Sequence, residues 1–151
     1  MSYFLNIEVE EIPEIHPVRL FHKVWQSNVG SGYPVPWSSY KPQEIADVIP
    51  WLLLLERQED DTYLYKVCGT SCESLFGMTY QGKTFGEDLP VEAVRQRRQE
   101  FDWIETGGKP IFSATTLPIP ERDYREVFRG VFGFSSDGES IDKIGVVIAP
   151  K

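Results

Sequence analysis

The imidazoles of His16 and His22 and the thiols of Cys68 and Cys72 are the whole supply of those groups in the 151-residue chain. A structural zinc ion takes four ligands, and here the histidines stand far from the cysteines in sequence, so no metal site is expected. The two thiols read as small buried groups, reduced rather than bridged. Acyl transfer needs a nucleophile, a base and an orienting acid, and the Gly-x-Ser-x-Gly turn that presents a serine is missing. One string does fit a catalytic pattern: Gly77-Met78-Thr79-Tyr80-Gln81-Gly82-Lys83-Thr84 has the letters of a phosphate-binding P-loop. That loop works by following a buried strand and opening a long helix. Here Gly77 closes a short helix and the residues from Thr84 begin a turn, so the context fails. No catalytic residue is nominated, and the chain is expected not to be an enzyme.

A second group of chemical interest is the run Arg95, Arg97 and Arg98, with Glu92, Glu100 and Asp102 nearby. On a helix this is mostly a solvated face of neighbouring opposite charges. Arg98 is the exception, because it falls on the apolar stripe of Val91, Val94, Phe101 and Ile104. A guanidinium aimed into a pocket from that stripe would take a carboxylate.

The elements that must position these groups follow from hydrophobic period and punctuation. Residues 1–15 are an acidic lead-in, a short strand or an extended arm, with Pro13 excluding a long helix. From Pro17, the residues Val18, Phe21, Val24, Trp25 and Val29 recur at helical spacing, and Gly30 and Gly32 stop the helix. Pro42 to Val48 reads as one or two helical turns. Residues 51–56 form a strand buried on both faces, and 62–68 a second strand with alternate aromatics, the two joined as an antiparallel hairpin. Thr70 or Ser71 caps a short helix over 72–76, ended by Gly77. Pro90 starts the longest helix, stopped by Gly107-Gly108. Three strands follow, over 109–117, 125–135 and 141–149. Phe128, Gly130, Phe132 and Phe134 share one face of the second, and Asp137-Gly138 makes the last turn. Strands and helices that do not alternate regularly give an α+β domain with an antiparallel sheet, spanning residues 16–151 after the lead-in.

Composition narrows the partners. The net charge is −8, from 15 basic and 23 acidic residues, which opposes nucleic acid and anionic membranes alike. The first residues lack a basic segment followed by a long apolar run, and no apolar stretch is long enough to span a bilayer, so a cytoplasmic protein is expected.

Two strands, a set of helices and three strands is the element order of the PAS fold. The segments His16-Pro17-Val18-Arg19, Trp25, Ile49-Pro50-Trp51-Leu52, Tyr65-Lys66-Val67-Cys68-Gly69-Thr70, Phe76-Gly77 and Gly82-Lys83 occur in one order. This set resembles a family of small stand-alone bacterial PAS-like proteins, of alphaproteobacterial type, from about residue 16 to 149. The resemblance implies a five-stranded antiparallel sheet in the spatial order 2-1-5-4-3, with helices on one face. It also implies a sensory or signal-transduction role, by binding a small molecule or by contacting a signalling protein.

The resemblance leaves the cofactor unknown and argues against two. Haem-binding relatives take a histidine from the long helix, which here has none. Flavin-linked relatives carry an Asn-Cys-Arg-Phe-Leu-Gln segment, from which Gly69-Thr70-Ser71-Cys72-Glu73-Ser74-Leu75-Phe76-Gly77 departs at nearly every position. An internal pocket would be lined by Leu53, Tyr65, Phe76, Phe101, Phe112 and Phe132, with Arg98 as its charge. The alternative is that these large side chains fill the core, leaving a module that works by dimerisation alone. Phe21, Val24 and Trp25 need apolar cover, either from the protein's own sheet or from a second subunit, and the expectation favours a homodimer.

Overall fold

The computed structural model describes residues 4–29, 36–87, 89–107 and 109–151. Its centre is an uninterrupted leucine run. Strand β2 (Leu52–Arg57) sends Leu52 and Leu54 into one hydrophobic core and Leu53 and Leu55 into another. A strand reads this way when both faces of its sheet are covered. Strand β3 (Tyr63–Cys68) returns antiparallel beside it, with a register shift at Leu54/Leu55. Their turn holds Asp61 at φ 64°, while the Asp60 carboxylate accepts from the Thr62 amide and hydroxyl.

Strands β4 (Ile111–Thr116), β5 (Glu126–Phe134) and β6 (Lys143–Pro150) complete the order expected from the sequence. One further strand, β1 (Phe4–Asn6), comes from the acidic lead-in and pairs antiparallel with β4. The sheet thus has six strands in the order β1-β4-β5-β6-β2-β3. The fold is α+β with an open antiparallel sheet. Without β1 its order is compatible with the 2-1-5-4-3 arrangement.

Helix α1 (Pro17–Val29) lies on what we term the outer face of the sheet, against β5 and β6. His16 starts it. Its Nδ1 accepts from the Val18 amide, so Nε2 carries the proton and donates to the carbonyls of Ala149 and Pro150. Phe21 meets Phe132 edge-on at 4.8 Å and stacks on Tyr40, which itself meets Phe134 edge-on. The close approach depends on bare backbone. A Cβ on Gly130 would stand 2.8 Å from Val18 Cγ1, and one on Gly145 would stand 2.5 Å from Phe134 Cε2.

Helices α2 (Thr70–Phe76) and α3 (Val91–Glu105) cover the opposite, inner face. The N-cap of α2 is Gly69 rather than Thr70 or Ser71, and it makes no side-chain cap bond. The backbone here presses on the preceding turn: a Cβ at Gly69 would meet the Pro50 carbonyl oxygen at 2.3 Å. The helix spacing expected over residues 42–48 becomes a short 3₁₀ turn, Pro42–Glu44. The stops assigned to Gly30, Gly32 and Gly108 lie outside the described residues. Gly107 does take a left-handed conformation, at φ 88°.

Candidate functional site

The buried side of α3 is not the apolar stripe that the sequence suggests. Ala93, Arg97, Glu100, Phe101 and Ile104 are buried, whereas Val91 is 85% exposed. These positions follow the helical period, but two of them are charged. β5 supplies a third charge. Its inner positions alternate Val127, Arg129 and Val131, and Arg129 is only 2% exposed. Arg129 Nη1 lies 2.8 Å from Glu100 Oε1 and donates to Glu100 Oε2 at 3.1 Å. Such a pair survives burial because each charge answers the other.

Arg97 and Arg129 both border a cavity on the inner face, with about 40 Å³ of free space. Its walls include Leu53, Tyr65, Phe76, Phe101, Val146 and Ile148. Phe85, Leu89 and Ile119, all part-exposed, mark the side nearest solvent. Arg97 is 8% exposed, and its Nη1 is buried without a hydrogen-bond partner among the described residues. Burial first, then the neighbouring Arg129 charge, pull its pKa down to about 10, while Glu100 acts the other way. Burial also pushes the Tyr65 phenol upward, so it stays neutral at ordinary pH.

Glu100 faces the other way as well. It borders a wide groove between α1 and α3, about 1030 Å³ in volume, together with His22, Trp25, Trp103 and Phe112. Trp103 is exposed in that groove's wall and donates from Nε1 to the Lys109 carbonyl. The Arg129–Glu100 pair is therefore part of the partition between the small inner cavity and the groove.

The residues nominated from sequence divide cleanly. Leu53, Tyr65, Phe76 and Phe101 do line the inner cavity. Phe112 and Phe132 do not; they belong to the outer face, where Phe132 is wholly buried and the two rings meet edge-on at 5.9 Å. Strand alternation decides this, since Phe132 follows the inward Val131. Arg98 does not enter the cavity. It donates to the Asp61 carbonyl, pairs with Asp102 at 3.7 Å and covers the Tyr63 ring. Its neighbour Arg97 occupies the inward position. Phe21 and Trp25 are buried in the outer core, and Val24 packs against it, so α1 folds back on its own sheet. Their apolar surface is satisfied within the chain.

Arg97, Glu100 and Arg129 were missed as site residues. The available signal was the helical period of Ala93, Arg97, Glu100, Phe101 and Ile104, read without regard to polarity. On β5 the signal was Arg129 alternating with valines.

The P-loop-like string has another use. The Tyr65 amide donates to the Lys83 carbonyl, the Gly82 amide to the Tyr65 carbonyl, and the Phe85 amide to the Tyr63 carbonyl. These bonds tie the segment to the β3 edge. The thiols of Cys68 and Cys72 are free and buried, and burial raises the pKa of both. No cluster of three metal-ligating side chains occurs among the described residues, and no helix there is long and apolar enough to cross a membrane. Searches of protein-family models, of curated proteins and of solved structures returned no match to this chain.

Proposed function

We propose that this chain is a regulatory module of PAS-like type that binds a small molecule between its sheet and helices α2 and α3. The observation that carries the reading is Arg97: a buried guanidinium whose Nη1 has no hydrogen-bond partner among the described residues, at the wall of the inner cavity. Proteins seldom leave a buried donor idle, because it has lost water and gained nothing. The strand order and the placement of the cavity on the helical side of the sheet support the PAS-like assignment. A binding rather than a catalytic role is supported by His16, whose two ring nitrogens are both engaged in holding α1.

Native mass spectrometry of the purified chain, with an absorption spectrum of the same sample, tests the reading. A bound small molecule, removed on denaturation, is expected. A chain mass with nothing bound, together with no small molecule that raises the melting temperature, rejects it.

A second reading is favoured by the small size of the cavity and by the groove that holds exposed Trp103. In it the protein acts by contacting a signalling protein or a second copy of itself. Sedimentation analysis of the same sample discriminates: a stable dimer that binds no small molecule selects this alternative.

A further inference from the structure

We infer that the inner cavity is a binding site for one small carboxylate monoanion, held by the guanidinium of Arg97 beside Arg129. The inference rests on the ligand-binding reading above and names the chemical class of the ligand. It begins from a charge balance. Arg97, Arg129 and Glu100 are 8%, 2% and 5% exposed, and these three side chains together carry one net positive charge. None of the described residues lining the cavity is a carboxylate. Tyr65 supplies no counter-charge, because burial holds its phenol in the neutral form. With a pKa of about 10, Arg97 remains protonated near neutral pH. A single negative charge in the cavity answers the excess, and a dianion would overshoot it.

Shape and polarity narrow the class. The guanidinium fork suits the two oxygens of a carboxylate. The free space of about 40 Å³ admits roughly three to four heavy atoms, judged by the volume that one water needs. Apart from Tyr65 and Tyr80 the rest of the lining is apolar, with Leu53, Phe101, Val146 and Ile148 among it, so it suits a short aliphatic tail. A short-chain monocarboxylate meets all three demands.

The test is calorimetric titration of the full chain with sodium acetate at constant ionic strength, beside acetamide, its neutral isostere. Saturable acetate binding is expected, with acetamide weaker by at least about ten-fold, the scale of a hydrogen bond to a charged group. Arg97→Met should keep its circular dichroism spectrum and lose acetate affinity by about ten-fold or more. Equal binding of acetate and acetamide, or unchanged acetate binding by Arg97→Met, overturns the anion assignment and leaves the ligand-binding reading standing. If neither probe binds and xenon fails to enter the cavity, both fall. Should Arg97→Met fail to fold, the ¹⁵N resonances of the Arg97 guanidinium in the unaltered chain decide. They shift saturably with acetate and not with acetamide if the site is as inferred, and a shift with both or with neither overturns it.

Discussion

The two faces of one sheet solve the problem of burial in opposite ways, and strand β5 makes both solutions at once. Its outward residues Phe128, Gly130, Phe132 and Phe134 set three aromatic rings around one stretch of bare backbone; Val18 of α1 comes close over Gly130, and Phe21 meets the rings of Phe132 and Phe134. Its inward residues include Arg129, which meets Glu100 of α3 beside a small cavity. The outer face is closed by ring against ring. The inner face keeps charge in a place where charge is costly. Charge retained at such a cost is the ground for the ligand site proposed on the inner face, while the outer face anchors the lead helix to the scaffold.

The largest expected effects set the two faces against each other. Phe21→Ala should cost about 3–5 kcal/mol in urea unfolding, from lost burial and the cavity left behind. Arg129→Met should cost a similar amount, about 3–5 kcal/mol, because it strands the Glu100 carboxylate. The comparison breaks on the double variant. Arg129→Met with Glu100→Leu should recover most of the loss, since a buried pair replaced by apolar groups is close to neutral. If the double variant is no more stable than Arg129→Met alone, the loss in Arg129→Met does not come from stranding Glu100. No second substitution is expected to rescue Phe21→Ala in that way.

Gly145→Ala tests the closeness of outer packing, where the added methyl carbon would stand 2.5 Å from a Phe134 ring carbon. A loss of about 1–3 kcal/mol is expected, typical of overpacking. A neutral result in thermal melts would show that the ring can retreat. Arg98→Ala should cost less than about 1 kcal/mol, as a largely surface group does, and should leave acetate titration unchanged. Lost binding in that variant would return Arg98 to the site in place of Arg97.

The smallest effect concerns pH. Burial lowers the His16 pKa below 6.5, so the folded protein favours the neutral ring. The unfolded chain takes up a proton first as pH falls. The contribution of His16 to stability is therefore complete above pH 6.5 and declines as pH drops through and below it. His22 shifts the same way, for the same leading cause. His16→Asn, which can still accept from the Val18 amide, should flatten the pH dependence of the melting temperature between neutral and mildly acidic pH. An unchanged slope would assign the acid sensitivity elsewhere.

Much of the scaffold was legible in the sequence because it rests on period. The run Leu52–Leu55, the alternation in β3 and the apolar stripe of α1 each carry their own structure. Leu53, Tyr65, Phe76 and Phe101, nominated from that pattern, do border the inner cavity. The failures share one cause. Assigning charge to the outside turned α3 by one residue, which promoted Arg98 and hid Arg97 and Glu100. The same habit gathered the phenylalanines inward and sent Phe112 and Phe132 to the wrong face, although alternation fixes only that residues share a face and not which face it is. The lead-in strand carries too few residues for its pairing to show, and its partner lies over a hundred positions away.

The sheet has little left to offer a neighbouring chain. Beyond β3, the backbone of residues 82–85 already occupies amides and carbonyls that another strand would seek. Beyond β4, the three-residue β1 takes the pairing positions and leaves only its own short rim. Strand-by-strand growth into larger assemblies, the common hazard of open sheets, thereby finds β3 and β4 already paired, with only the short β1 left at one edge. Where β3 and β4 are covered in this way, association has to come from side chains, and so by fit rather than by backbone.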